Sequence, residues 1–355
     1  MPTRTEWITE LARLTEIAGE WDRLAEGDPA PFSGHSWLAA WWRAFGAERD
    51  LRVCTIWEDG ELVAGLPLLA GGGRRLSSAT NAHTPSYRPL ARGPSARANL
   101  AEALVSTGRE VKLEALPATE AEVRELLGAV KSCGARTTLD ADYVSPVADT
   151  TGSFEAYHTA MKPRWRELER RRRKLMREHT VETDLIAQPD DMPLDLAEGL
   201  LLEAAGWKGR EGTAVLSDDP VAGFYADVAR AFHATGELRL SSLRTAGRLV
   251  AFDFALLYQG RYFLLKTGFD ESLRTLAPGL ILRRDVVERC FELGLDAHEF
   301  LGIDMEWKRL FATGDRPHFV CRAYPRGARN GLRYAYRRHG RPRLRSAYLR
   351  VRPSS

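Results

Sequence analysis

The chain has 355 residues, of which 44% are hydrophobic, 28% charged and 9% aromatic, and its formal net charge is +3. This length suggests two domains, and the composition excludes collagen-like, low-complexity and disordered proteins. No run of ~18 apolar residues occurs, so no membrane-spanning helix is expected. The first twenty residues lack a basic start and an apolar stretch, and the four cysteines lack zinc or C-x-x-C spacing. We therefore predict a cytoplasmic protein with reduced thiols and no metal site.

In the first half of the chain, helical and β-rich patterns alternate. Glu110–Leu116 is predicted to be a strand, residues 119–133 a helix and residues 136–140 a further strand. Ser145-Pro146 and the threonine-glycine run 150–152 then interrupt the periodic pattern. This interruption places a domain boundary near residues 144–152.

The segment that follows, residues 163–179, is predicted to form a helix docked by one face. Trp165, Leu168, Leu175 and Met176 recur at helical spacing and form an apolar stripe. The rest of the helix is basic, with nine Lys/Arg against two acidic residues between positions 162 and 177. Arg172 shares the apolar stripe, so its stem is expected to pack while the other arginines point outward.

The second half of the chain begins with an antiparallel meander. Residues 237–245, Arg248–Tyr258 and residues 261–267 are β-rich runs joined by Ala246-Gly247 and Gln259-Gly260 turns. Residues 278–293 follow as a helix opened by a proline, and residues 296–301 as the next strand. The order of helix, three strands, helix and strand predicts an α+β sandwich.

An internal repeat relates the two halves. Residues 37–64 and 224–251 align without a gap at an offset of 187, and eleven of 28 positions are identical. Each copy has the pattern of an amphipathic helix, a strand, a glycine turn and a second strand. We therefore predict a duplication with one copy in each half.

Positive charge is concentrated in two blocks, residues 162–177 and residues 316–355. The second block holds twelve arginines and no acidic residue, and tyrosines are interleaved with them. Such blocks suggest a polyanionic partner, and nucleic acid is favoured because stacking groups accompany the charge. A solvated basic helix followed by a disordered tail is the alternative. The predicted phosphate-contacting residues are Arg166, Arg170, Arg171, Arg173, Lys174, Arg177, Arg337 and Arg338.

Several stretches resemble the two-lobed branches of the GNAT superfamily of acyltransferases. They are PFSGHSWLAAWW near the start, WKGREGTA at 207–214, TGFDESLRTLAPGLIL at 267–282 and EFLGIDMEWKRLF at 299–311. The pattern is similar to that of the CelD-like acetyltransferases of cellulose-biosynthesis clusters and the Fem-type aminoacyl-tRNA-dependent transferases. The resemblance implies an α+β fold of tandem GNAT-like lobes, each a mixed, mainly antiparallel sheet flanked by helices. It divides the chain into lobes 1–148 and 149–325 and a basic tail 326–355.

The resemblance also implies catalytic residues. Lys308 matches the lysine of the Fem-type pattern, where its charge would hold a phosphate or stabilise an oxyanion. Its alternative is a surface lysine on a short helix. Asp304 and Glu306 are predicted at the end of the last strand, where a carboxylate could take the proton of an amine. Either could instead cap the following helix.

Donor-binding residues are predicted in two places. Trp207, Lys208 and Gly209 belong to a glycine-containing basic loop whose N–H groups could approach an anion, or which is a plain turn. The others, Lys266, Thr275 and Gly279, surround the helix start at Pro278. There Lys266 follows the splayed strand that contacts the acyl donor in this fold, and Thr275 is expected to cap the helix.

The stretch from Arg274 to Gly279 lacks the paired glycines of a CoA-binding GNAT, Q/R-x-x-G-x-G/A. We therefore favour an acyltransferase that moves an acyl or aminoacyl group from an aminoacyl-tRNA to a small-molecule or peptide amine. An acyl-CoA-dependent N-acyltransferase and a non-catalytic RNA-binding module are the alternatives. No tightly bound cofactor is expected, because the donor acts as a co-substrate.

Overall fold

The computed structural model describes residues 3–72, 75–117 and 119–340. Residues 341–355, which belong to the predicted basic tail, lie outside the described residues. The elements of the first half are, in order, β1 (Thr3–Ile8), α1 (Leu11–Glu16), α2 (Ala18–Ala25), α3 (His35–Phe45), β2 (Asp50–Glu58), β3 (Glu61–Gly71), β4 (Arg75–Ser78), β5 (Leu90–Ala91), α4 (Gly93–Ser106), β6 (Glu110–Leu116), α5 (Ala121–Ser132) and β7 (Arg136–Asp149).

The second half contains α6 (Phe154–Glu178), β8 (Val181–Ala187), α7 (Met192–Ala205), α8 (Trp207–Arg210), α9 (Asp219–Ala234), β9 (Leu238–Thr245), β10 (Arg248–Tyr258), β11 (Arg261–Phe269), α10 (Pro278–Glu292), β12 (Ala297–Glu299), α11 (Glu306–Arg309), β13 (Gly314–Tyr324) and α12 (Ala328–Ala335). The predicted α+β fold of two similar lobes is confirmed.

One continuous sheet runs through both lobes. Its strand order is β1-β2-β3-β4-β6-β13-β7-β12-β11-β10-β9-β8, and β5 pairs with β3. Strand β13 of the second half lies between β6 and β7, and β7 of the first half lies between β13 and β12. The two lobes therefore exchange strands at the centre of the sheet, and the division at residue 148, which remains a prediction, falls within β7.

The sequence repeat corresponds to a structural repeat. Strands β3 and β10 are related by the offset of 187, and α4 and α10 and then β6 and β12 follow at nearly the same offset. The hairpin turns correspond as well, because Asp59-Gly60 and Ala246-Gly247 all have positive φ. Consecutive positive φ values define the turn whose twist matches paired antiparallel strands.

The repeated helices α3 and α9 pack against each other between the lobes. Trp37 and Phe224, which are equivalent in the repeat, meet edge to face with centroids 5.2 Å apart. Trp37 also contacts Phe232, and Phe45 contacts Phe224 in the equivalent crossed pair. These rings belong to a core shared by both lobes, whereas α4 with α5 and α6 with α10 cover separate cores on the other face of the sheet.

Strand β7 continues through most of the predicted boundary at residues 144–152, as far as Asp149, so the chain leaves secondary structure only at residues 150–153. Pro146 is tolerated because β12 pairs with β7 only as far as Glu299 opposite Val147. The next partner would be Pro146, which has no N–H to donate. The proline thus ends β12 rather than β7, and the predicted strand 296–301 is reduced to three residues.

The basic helix begins nine residues earlier than predicted. Ser153 caps α6 by accepting a hydrogen bond from the N–H of Ala156, and Pro163 lies inside the helix. Tyr157 and Met161 extend the buried stripe through Trp165, Leu168 and Leu175. The placement of Met176 in that stripe was wrong, since its side chain is exposed.

Candidate active site

The second lobe contains a gap where two parallel strands part. Strands β11 and β12 pair only from Arg261 opposite Ala297 to Phe263 opposite Glu299. Beyond that point β11 continues to Phe269, paired with β10 on its other edge. Leu265 is the extra residue of a β-bulge in that pairing. We call this gap the open end of β11.

Helix α10 starts beside the open end of β11. Its N-cap is Ala277 in the left-handed conformation, and no side chain caps it. The predicted cap by Thr275 is therefore wrong, and Thr275 is exposed on the preceding loop. A Cβ on Gly279 would lie 3.3 Å from the Cβ of Phe269, so this glycine permits the close approach of α10 to β11.

Helix α8 brings the predicted loop residues to the same place. Lys208 Nζ donates to Glu203 Oε1 and to the carbonyl of Thr267 on β11, each at 2.7 Å. The carboxylate of Glu271 accepts from the N–H of Trp207, which joins α8 to the loop before α10. A side chain on Gly209 would collide with the backbone of Ala204. The Lys208 ammonium thus links α8 to α7 and β11 and is not a free cation.

Lys308 lies on α11, and its side chain reaches back to the turn that follows β12. Its Nζ donates to the carbonyls of Leu301 and Ile303, the latter at 2.7 Å, and the residue is 5% exposed. Leu301 and Gly302 both have positive φ, so the ammonium holds a tight turn. Burial lowers the pKa of Lys308 to about 8, and Asp304 opposes this shift. A buried ammonium does not fit the alternative of a surface lysine.

The two predicted carboxylates are turned outward. Asp304 is paired with Arg309 through two hydrogen bonds of 2.7 Å, which lower its pKa. Glu306 is exposed at the first position of α11 and lines a surface groove with Arg164 and Asp315. The alternative of helix capping does not hold for either residue, because the N-cap of α11 is Met305 without a side-chain bond.

Lys266 lies three residues beyond the last β11–β12 pair, on the face covered by α7 and α9. Its Nζ lies 4.6 Å from the centre of the Tyr225 ring. The Tyr225 hydroxyl and Nδ1 of His83 are hydrogen-bonded at 3.2 Å. Burial and the nearby Lys266 lower the pKa of His83 to about 4. The roles of Tyr225 and His83 could not be predicted from the sequence, because the two residues lie 142 positions apart and neither belongs to a local motif.

A buried polar network lies under the same strands, on the α10 side. Arg283 bonds to the Asp253 carboxylate and, at 3.1 Å, to His298 Nε2. Asp253, Arg283, His298 and Tyr262 are all at most 1% exposed, and each retains a polar atom without a described partner. Burial raises the pKa of Asp253, whereas burial and Arg283 hold the pKa of His298 far below its ordinary value. This network, also missed from sequence, fixes α10 to β10 and β12.

Some of the predicted phosphate-contacting residues of α6 are paired with a carboxylate of the same helix, and others have no described partner. Arg170 and Arg171 both bond to Glu167, and Lys174 and Arg177 lie within 4 Å of Glu178. Arg166 and Arg173 are exposed and have no hydrogen bond or ion pair among the described residues. Arg172 is half-buried and paired with Asp285 of α10 at 3.1 Å, as its place in the stripe predicts. Arg337 pairs with Asp140 at 2.8 Å, while Arg338 is exposed.

The equivalent gap in the first lobe is filled by the chain itself. Strands β4 and β6 pair in parallel from Arg75 to Ser77. Beyond that pairing, Ser78 accepts from the N–H of Glu114, and Tyr87 donates its N–H to the carbonyl of Ala115. The Tyr87 hydroxyl donates to the carbonyl of Pro67 at 2.6 Å. The candidate site therefore lies in the second lobe.

Residues 162–309 match the family described as "Acetyltransferase (GNAT) domain". This part of the chain, from the basic helix to Lys308, is therefore a GNAT domain, and the expected resemblance is confirmed. No curated protein matches the sequence. Within the described residues, no helix has the length and apolarity needed to cross a bilayer. In the same ranges, no group of three His, Cys, Asp or Glu side chains is placed to hold a metal ion.

Solved structures with a similar fold cover both lobes. FemX is 10% identical and superimposes with a TM-score of 0.56, covering 93% of this chain and 98% of its own. The C-terminal domain of a protein named as a lysylphosphatidylglycerol synthetase from Agrobacterium fabrum is 13% identical, with a TM-score of 0.55, and covers 90% of this chain and 95% of its own. A conserved protein of unknown function from Bacteroides thetaiotaomicron is 13% identical, with a TM-score of 0.53 and coverages of 90% and 99%. The fold shared with these structures therefore extends over both lobes, beyond the matched residues 162–309.

Proposed function

We propose that the second lobe transfers an acyl group from an aminoacyl-tRNA to the amine of a small molecule or peptide. The donor ester would enter the open end of β11, between α10 and the turn held by Lys308. Acyl transfer needs donors for the oxyanion that develops on the attacked carbonyl. Lys308 is a donor of this kind, because its ammonium is buried beside the turn that follows β12 and its two described bonds leave one of its three N–H groups.

The position of α6 is the observation that favours tRNA as the donor. This helix packs along α10, where Arg172 pairs with Asp285 and Glu169 with Arg284. It also reaches the segment after Lys308, because Trp165 Nε1 donates to the carbonyl of Leu310 at 2.9 Å. The basic face of α6 therefore lies beside the elements that frame the candidate site. A polynucleotide bound along this face would place its charged end within reach of the site.

One of the similar structures favours aminoacyl transfer over other kinds of acyl transfer. The Agrobacterium fabrum protein is named for joining a lysyl group to a lipid. The family description favours the second candidate function, N-acetylation or N-acylation from a CoA ester. The two candidates share the site and differ in the polyanion that brings the acyl group.

Binding measurements on α6 separate the two donors. Arg166→Gln with Arg173→Gln removes two exposed charges that have no described partner and keeps side-chain length. Affinity for charged tRNA should fall, and the slope of log Kd against log salt should shrink by roughly one unit per lost phosphate contact. Affinity for acetyl-CoA should stay unchanged. Arg124→Gln with Lys131→Gln, on the exposed face of α5, removes the same charge far from the site and should change neither affinity.

An activity assay completes this test. Amide formation from charged tRNA that RNase abolishes would support the proposal. Amide formation from an acyl-CoA that survives RNase treatment, together with an unchanged salt slope in the α6 variant, would assign the CoA donor instead.

A further inference from the structure

Three lysines surround the open end of β11, and they differ in how their ammonium groups are bound. Lys208 is paired with Glu203 and with the carbonyl of Thr267. Lys308 is held by two carbonyls. Lys266 has neither a hydrogen bond nor an ion pair within the described residues, and its described contact is the face of Tyr225. Lys266 alone among them offers an uncommitted amine.

The neighbours of Lys266 hold it in place without accepting its protons. Tyr225 is 4% exposed, and its ring packs on Phe224 and Phe254. Its hydroxyl is bonded to His83 of the first lobe, whose ring stacks on Phe45. The π face of a tyrosine attracts an ammonium but takes no proton from it. The contact between the lobes therefore fixes the direction of the Lys266 side chain.

The charges around Lys266 favour its neutral form. Burial lowers the pKa of Lys266 to about 8; Glu203 of α7 opposes the shift and Lys208 of α8 adds to it. Tyr225 of α9 is uncharged, because burial raises its pKa, and His83 is neutral above its own pKa of about 4. An amine that titrates near neutral pH is suited to general base catalysis.

We propose that Lys266 is the general base of the transfer and that the ring of Tyr225 positions it. This inference rests on the proposed function of the same lobe. As the acceptor nitrogen bonds to the acyl carbon, it gives one proton to Lys266 Nζ. The tetrahedral intermediate then breaks the bond between the acyl carbon and the leaving oxygen of the donor. That oxygen takes the same proton from Lys266, so the lysine is neutral again at the end of the cycle.

Residue-resolved acetylation with acetic anhydride tests the amine without any substrate. We expect half-maximal labelling of Lys266 near pH 8, about two units below the ordinary lysine value of ~10.4. Lys162, which is exposed on α6, provides the reference rate. Labelling of Lys266 that follows an ordinary lysine up to pH 10 would overturn the proposal, whatever donor the enzyme uses.

Kinetics of three variants test the role of the amine. Lys266→Met should lower kcat by ~10²-fold or more and remove the rise of kcat near pH 8, while Kd for the donor stays within about threefold. Tyr225→Phe keeps the ring and should retain most of the turnover. Lys131→Met, remote on α5, is the matched control and should match the wild type in every readout.

Three results would overturn the assignment of Lys266 as the base. The first is turnover of Lys266→Met within threefold of the wild type. The second is a loss of donor affinity that accounts for the whole loss of turnover in Lys266→Met. The third is an equally large loss of turnover in Tyr225→Phe, which would make the tyrosine hydroxyl the acid–base group. A wild-type protein that transfers no acyl group from either donor would instead overturn the proposed function, and the labelling midpoint would still report on Lys266.

Discussion

Removing Arg283 should expose how strongly the buried network holds α10 to the sheet. Arg283 and Asp253 are 1% and 0% exposed, so the variant Arg283→Met leaves a buried carboxylate without its counter-charge. Breaking a buried ion pair from one side costs about 3–5 kcal/mol. This is a large fraction of an ordinary folding free energy of roughly 5–15 kcal/mol. At a urea dependence of about 3 kcal/mol per M, the unfolding midpoint should fall by about 1 M or more.

The loss of stability in Arg283→Met should depend on pH in a predictable direction. In Arg283→Met the folded-state pKa of Asp253, already raised by burial, should rise further, because the guanidinium no longer offsets desolvation. The folded protein then holds a proton that the unfolded chain releases above about pH 4. Stability is therefore lost as pH rises from about 4 through the folded-state pKa. The deficit relative to the wild type should be larger at pH 8 than at pH 5.

A double variant separates the charge from the packing. Arg283→Met with Asp253→Asn removes both charges of the network, so it should recover at least half of the lost stability and show no difference in deficit between pH 5 and pH 8. Urea midpoints by circular dichroism provide the measurement. A cost below about 1 kcal/mol for the single variant, or a double variant less stable than the single one, would refute the reasoning.

The remaining predictions concern the turn at β12 and the contact of α7 with β11. Lys308→Ala should lower turnover by ~10²-fold or more, because the oxyanion loses its donor. It should also lower the melting temperature, since the carbonyls of Leu301 and Ile303 lose the ammonium that holds their turn. A loss of turnover below about threefold would leave Lys308 a purely structural residue. Gly268→Ala should destabilise the fold by about 1–3 kcal/mol, because the added Cβ would lie 2.9 Å from the N atom of Glu203. Its control Gly128→Ala, in α5 with open space around it, should stabilise by about 0.5–1 kcal/mol; equal effects in thermal unfolding would contradict the steric argument.

The sequence pattern predicted strands correctly where both of their ends are marked by turn residues or helix signals. Strands Arg248–Tyr258 and Glu110–Leu116 were predicted with their observed bounds, because β-rich runs end there at turns or helix signals. The repeat predicted two similar arrangements, and the structure has them, since residues 37–64 and 224–251 each fold as a helix, a strand, a glycine turn and a second strand. Pro146 was misjudged because its missing N–H faces the end of β12, and only the tertiary partner shows this. Pro163 was misjudged because α6 continues through it, with Tyr157 and Met161 buried before the proline and Trp165 after it.

The candidate site could be predicted only in part. Lys308, Lys208 and Lys266 were found because they belong to recognisable stretches near the ends of strands. His83, Tyr225 and Asp253 were missed, since their roles arise from contacts between distant segments. Asp253 in particular lies within an apolar strand, and its partner Arg283 is thirty positions away on α10. The outward orientation of the Asp304 and Glu306 side chains was also missed, because it depends on the ion pair of Asp304 with Arg309 and on the path of the chain after β12.

The decisive measurement is transfer of a radiolabelled acyl group from charged tRNA to a mixture of small amines and peptides. We expect amide products that RNase pretreatment abolishes and that excess acetyl-CoA does not restore. Lys266→Met should reduce their amount by ~10²-fold or more. Amide formation that persists after RNase treatment when a CoA ester is supplied, with none from charged tRNA, would contradict this expectation.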